Sequence, residues 1–199
     1  MPHAVLQLSA LPSPHDAGIR QIAALSARIA YVLVCLSVCW GVLVNTGWVH
    51  RLSGREATRS SHMVLATLAL AFGGMHALAF LFLTGDRWDL LRLTVPMLHD
   101  GLLRHAAGIV GFEVLLAVAV SSAFRRFIPY RRWLALHRFA YPAVVLLLAH
   151  SVYGAIANGH LNALWLGGLT VLVPTVVLVA LRLVPPRALT GLGMVEEDV

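Results

Sequence analysis

Two stretches, HMVLATLALAFGGMH at residues 62–76 and HRFAYPAVVLLLAH at residues 137–150, each run a long apolar segment from one histidine to another. Neither carries an acidic residue, and the first carries no charge at all. An uninterrupted apolar run of about 20 residues spans the hydrocarbon core of a bilayer. Inside that core a backbone can satisfy its own polar groups only as a helix or a closed barrel. These stretches therefore read as the centres of transmembrane helices with a histidine near each end.

The rest of the chain agrees. Of 199 residues, 59% are hydrophobic and only 12% charged, against about 25% charged in a soluble domain. Mean hydropathy is +0.80. Five spans are expected, over about 26–44, 62–83, 105–124, 136–157 and 161–184, the last with Pro174 inside it. Residues 1–25, with Pro12, Pro14 and Gly18, read as a flexible lead-in without the charged-then-apolar pattern of a signal peptide. Residues 185–199 read as a short tail. The fold class is an all-α integral membrane protein, a bundle of about five transmembrane helices.

The net charge of +6 comes from 15 arginines and no lysine. They cluster at span ends, where topology and lipid headgroups account for them, so no nucleic-acid partner is implied. Arg51, Arg55 and Arg59 fall in the first loop, and Arg125, Arg126, Arg131 and Arg132 in the third. Arg182 and Arg187 follow the last span, and Arg138 stands at the mouth of the fourth. The opposite side has fewer, diluted by Asp16, Asp86, Asp89 and Asp100. The positive-inside rule then puts the N-terminus outside and the C-terminus in the cytoplasm of a multi-pass plasma-membrane protein. Cys35 and Cys39 lie one turn apart on the first span and read as small packing residues. No C-x-x-C-H occurs, which excludes covalent c-type haem on motif grounds.

Of ten histidines, four carry the functional reading. His62 and His76 are 14 apart, His137 and His150 are 13 apart, and each pair spans about 20 Å along a helix at ~1.5 Å per residue. The second and fourth spans are parallel, because one span lies between them. His62 then faces His137 near the cytoplasmic side, and His76 faces His150 near the outer side. Intramembrane ionisable residues default to function, and two stacked histidine pairs are what two six-coordinate haem irons require. Zinc needs three or four clustered ligands instead.

At ~100° per residue, 14 residues return a side chain to within about 40° of its starting direction, whereas 13 leave it about 140° away. Either Pro142 kinks or rewinds the fourth helix, or the two haems meet that helix from different sides. Arg59 and Arg138 are candidates to pair with haem propionates beside His62 and His137. Arg28, Arg104 and His105 are candidates at the other end. The loop 84–104, with Trp88, could cap a site there. Gly73 and Gly74 offer either room for a porphyrin or close helix packing. Glu113 is expected to be buried in the third span, structurally bonded or part of a proton relay.

The segment Leu136-His137-Arg138-Phe139-Ala140-Tyr141 followed by His150, together with the doubled spacing, resembles the ferric reductase-like transmembrane domain. That family includes NADPH oxidases, ferric reductases and the haem-binding membrane subunit of periplasmic methionine sulfoxide reductase. The resemblance covers about 26–184. It implies two haem b groups ligated by His62, His76, His137 and His150, and electron transfer across the bilayer. Unlike the oxidases and reductases, this sequence has no G-x-G-x-x-G and no stretch for a flavin and nicotinamide domain after its last span. A flavoprotein carrying FMN or FAD, or a quinol, is therefore the expected electron donor. Ferric chelate, dioxygen or a redox protein is the expected outer-face acceptor. A proton channel or small transporter with a histidine and Glu113 relay is the alternative from another functional class.

Overall fold

The computed structural model describes residues 13–46, 54–85, 88–98, 102–159 and 173–180. All regular structure among them is helical: α1 Pro14–Thr46, α2 Arg55–Ala79, α3 Leu90–Thr94, α4 Leu103–Ala123, α5 Tyr130–His137 and α6 Ala140–Ala157. Among the described residues four stretches are long and apolar enough to cross a membrane: Pro14–Val44, Arg55–Phe82, Leu103–Ala123 and Tyr130–Ala157. Of the expected fifth span only 173–180 is described, and it is helical. The remainder of 161–184, and the tail 185–199, lie outside the described residues.

The first helix begins at Pro14 rather than at Ser26, and local chemistry explains why. Pro14 occupies the first helical position, where a missing N–H is harmless. Ser13 caps the turn by accepting from the Asp16 amide at 3.1 Å, and Asp16 places an acidic group at the positive end of the helix. The Asp16 carboxylate then reaches across the fold. It accepts from the Thr84 amide and hydroxyl, both at 2.9 Å, and from the Gly85 amide at 3.0 Å. This clasp ties the start of α1 to the turn that follows α2.

The bundle is built as two tight hairpins. In the first, α1 lies along α2, burying Ala23, Cys35 and Val42 with Ala69 and Ala79. Trp40 Nε1 donates to the Thr58 carbonyl at 2.9 Å across the same seam. In the second, α4 lies along α6, with Ala106, Gly111 and Val118 against Ala143 and Val144. Small residues at both seams let the backbones close up, which drives helix association where lipid removes any hydrophobic gain. Gly111 shows how close: a Cβ there would stand 3.0 Å from the Ala143 carbonyl oxygen and 2.9 Å from Leu147 Cγ.

Between the hairpins the contact is thin. Gly73 of α2 takes the ring of Phe112 from α4, where a Cβ would meet Phe112 at 3.1 Å. The backbones of α2 and α6, the two histidine-bearing helices, scarcely approach packing distance. Residues 173–180 rest on α1, with the Thr175 hydroxyl 3.3 Å from the Cys35 carbonyl and 3.0 Å from Cys39 Sγ.

The expected fourth span is two helices in series. Pro142 has no N–H for the Arg138 carbonyl, and that carbonyl instead accepts from Tyr141 at 3.1 Å. Phe139 likewise bonds three residues back, to Leu136 at 3.0 Å. These short-range bonds tighten the winding between α5 and α6 at Arg138–Phe139. Tighter turns of about 3.0 residues advance each residue by ~120° instead of ~100°. The added rotation acts on the 13-residue spacing in the direction needed to bring both histidines round to α2.

Candidate functional site

The predicted partners meet. The rings of His62 and His137 have centroids 6.2 Å apart with planes at 73°, and those of His76 and His150 lie 6.1 Å apart at 65°. So α2 supplies one member of each pair, while the second members come from the end of α5 and the middle of α6.

Backbone carbonyls fix the state of three rings. His62 Nδ1 lies 3.1 Å from the Ser37 carbonyl, His76 Nδ1 2.9 Å from the Ala23 carbonyl, and His150 Nδ1 2.7 Å from the Arg104 carbonyl. A carbonyl only accepts, so each Nδ1 carries the proton and donates. Each Nε2 is left with a lone pair, the arrangement that metal-binding histidines adopt. His137 differs: its Nδ1 is buried with no hydrogen bond among the described residues. Its ring is held instead by Trp133, stacked at 5.1 Å and 25°. Trp133 is in turn bonded to the Ser122 hydroxyl at 3.3 Å and covered by the Arg125 guanidinium at 4.9 Å.

Two glycines make the carbonyl bonds possible. A Cβ on Gly108 would stand 2.7 Å from His150 Nδ1, and one on Gly41 would stand 3.1 Å from His62 Cε1. Neither glycine, none of the three carbonyls and not the Trp133 stack were foreseen from sequence. Backbone acceptors leave no residue-type signal, and these glycines lie in other spans than the histidines they serve. Gly73 and Gly74, the glycines singled out beforehand, pack on Phe112.

At the His76 end an aromatic chain continues outward. His76 meets Phe80 at 5.3 Å, Phe80 meets Trp88 at 5.4 Å, and Trp88 meets His105 at 5.3 Å. Arg104 Nε donates to His105 Nε2 at 3.2 Å. Trp88, expected in a capping loop, thus sits over this end of the bundle. Arg59 and Arg138 are exposed at the His62–His137 end. Arg28 is exposed on α1.

Glu113 is a correction. It is exposed rather than buried, with no hydrogen bond or ion pair among the described residues. Gly108 and Gly111 turn toward α6, and five residues at ~100° put Glu113 about 140° round the helix from Gly108. It therefore points away from the histidines rather than joining them in a relay.

The donor set can be tested against possible ions. Among the described residues no three His, Cys, Asp or Glu side chains cluster as a metal site. Two imidazoles per site are too few for zinc, and they are the number a haem iron takes when the macrocycle supplies the rest. With metal–imidazole bonds of about 2.0–2.1 Å, as for zinc, and ring centres about 1.1 Å behind each nitrogen, an in-line ion sets the centroids about 6.3 Å apart. Both pairs match that spacing, and the thin seam between the hairpins leaves the histidine-bearing helices apart. The residues fit the group.

The model of the family described as ferric reductase like transmembrane component matches residues 26–148. The chain belongs to this family. The ferric reductase-like match takes in His62, His76 and His137 and ends two residues before His150. No curated protein and no solved structure matches the chain. Membership of the ferric reductase-like family points to a role in transmembrane electron transfer.

Proposed function

We propose that the chain is a di-haem b-type electron-transfer subunit of a multi-pass plasma-membrane complex, with its N-terminus outside and its C-terminus in the cytoplasm. The observation that carries this reading is the pair of histidine couples at 6.2 and 6.1 Å. Bound haem supplies a one-electron couple that operates without making or breaking a bond.

The protein's part is to hold and orient. His62 with His137 would hold one haem, and His76 with His150 the other, so that bound haem would serve outer-sphere electron transfer. The carbonyls of Ser37, Ala23 and Arg104 fix the tautomer that presents Nε2. Arg59 and Arg138, both exposed, would pair with propionates at the His62–His137 end. A flavoprotein with FMN or FAD, or a quinol, donates electrons at that end. An outer-face acceptor (ferric chelate, dioxygen or a redox protein) takes them at the other, past Phe80 and Trp88.

The test is a dithionite-reduced minus oxidised spectrum of the purified chain, with haem counted per polypeptide as the pyridine haemochrome. Two b haems are expected, falling to one in His76→Ala or His150→Ala. A chain that binds no haem when expressed with ample haem supply refutes the reading.

A further inference from the structure

The four imidazoles are not held alike, and the difference follows a rule. The carbonyl that receives His150 belongs to Arg104, and four residues on is Gly108. The carbonyl that receives His62 belongs to Ser37, and four residues on is Gly41. The carbonyl that receives His76 belongs to Ala23, and four residues on is Ala27. A helical carbonyl already accepts from the amide four residues ahead, so a second donor must come in beside that amide, across the space its Cβ would fill. Only a small residue there admits an imidazole. The His76 bond forms with alanine in that place, but at Gly108 a Cβ would stand 2.7 Å from His150 Nδ1 and exclude the ring from its present position, and at Gly41 one would crowd His62 Cε1 at 3.1 Å. Among the described residues His137 has no such carbonyl, and its buried Nδ1 is unbonded.

A hydrogen bond from Nδ1–H moves negative charge toward Nε2 and makes the imidazole a stronger donor to the metal. Stronger donation favours the more positive, oxidised centre and lowers its reduction potential. The His76–His150 site has this bond on both sides, and the His62–His137 site on one. We propose that the two electron sites are unequal by construction: the His76–His150 site has the lower reduction potential, and Gly108, which admits the bond from His150, is the positioning residue that sets it apart from the site where His137 makes no such bond. This inference rests on the di-haem reading.

The functional content concerns where a lone electron stays. One electron from a reduced flavin or quinol, which is itself oxidised by one electron, reduces one ferric centre to ferrous with both histidines still bound. That electron rests at the His62–His137 site. Only when a second arrives, or an acceptor draws the first onward, does the more strongly reducing His76–His150 site fill.

Potentiometry of the haem-loaded chain, followed in the visible absorption, tests the order. Two waves are expected. His137→Ala removes the higher one and leaves the lower, whereas His150→Ala does the reverse. Gly108→Ala shifts the lower wave upward and leaves the higher in place. A single wave for both sites, or loss of the lower wave in His137→Ala, overturns the order. An unmoved lower wave in Gly108→Ala overturns the role of that glycine. A protein without haem fails earlier, at the haemochrome count, and refutes the di-haem reading instead.

Discussion

Replacing Gly111 with alanine probes the close approach of α4 to α6. The new methyl would stand 3.0 Å from the Ala143 carbonyl oxygen and 2.9 Å from Leu147 Cγ. Carbon atoms sit comfortably at about 3.5–4.0 Å. Leu147 can rotate away, but the carbonyl belongs to the backbone of α6, so relief requires α4 and α6 to part by several tenths of an ångström. Overpacking of this kind costs about 1–3 kcal/mol. Alanine offsets some of that, because glycine in a helix interior is about 1 kcal/mol less favourable. Gly154→Ala supplies the reference, since a Cβ there meets nothing within 4 Å and the helix-propensity gain is the same. The difference between the two variants isolates the steric part, about 1–3 kcal/mol. At about 2–4 °C per kcal/mol for a chain of this size, Gly111→Ala should melt roughly 2–12 °C below Gly154→Ala in the same detergent. Thermal unfolding followed by far-ultraviolet circular dichroism reads this directly. If Gly111→Ala melts at or above Gly154→Ala, the close contact between α4 and α6 is not a structural constraint and the reasoning fails.

Two other outcomes follow from the same structure. Asp16→Ala removes an acceptor used by the Thr84 amide, the Thr84 hydroxyl and the Gly85 amide; the amides of residues 84 and 85 should exchange with solvent several-fold faster, and unchanged exchange would mean the clasp does not form. Glu113→Gln should leave haem content, both potential waves and the melting temperature of the isolated chain unaltered, because the carboxyl points away from the histidines; a lost haem or a displaced wave would put Glu113 back among them.

Much of the site was legible because intramembrane histidines are expensive and therefore rare outside function. The spacing of His62 with His76 and His137 with His150, plus the parallel sense of alternate spans, was enough to pair them correctly. What escaped the sequence was of two kinds. The phase mismatch on the fourth span was visible, but its resolution lies in bonds made three residues back at Phe139 and Tyr141, which residue types do not announce. The supports of the rings are backbone carbonyls, and the glycines that expose them belong to helices remote in sequence from the histidines. Glu113 was read as buried because carboxylates in membranes usually are. Its exposure depends on which face of α4 meets α6, and that is decided by Gly108 and Gly111. At the first helix, Ser13 and Pro14 carry a strong start signal that the apolar run beginning at Ser26 overshadowed.

The two-hairpin construction has a mechanical consequence. Free energies of opening differ across a protein according to how densely its parts are packed. Here, among the described residues, the seams inside each hairpin are close-packed, and the seam between them is sparser: Phe112 on Gly73, a limited approach of α1 to α6, the facing imidazoles and the Phe80–Trp88–His105 rings. The softest motion expected is thus a displacement of one hairpin relative to the other, each moving as a unit. A group bridging the facing imidazoles would act as a rivet between the hairpins: its arrival would stiffen the described bundle, and its loss would loosen the halves without melting either.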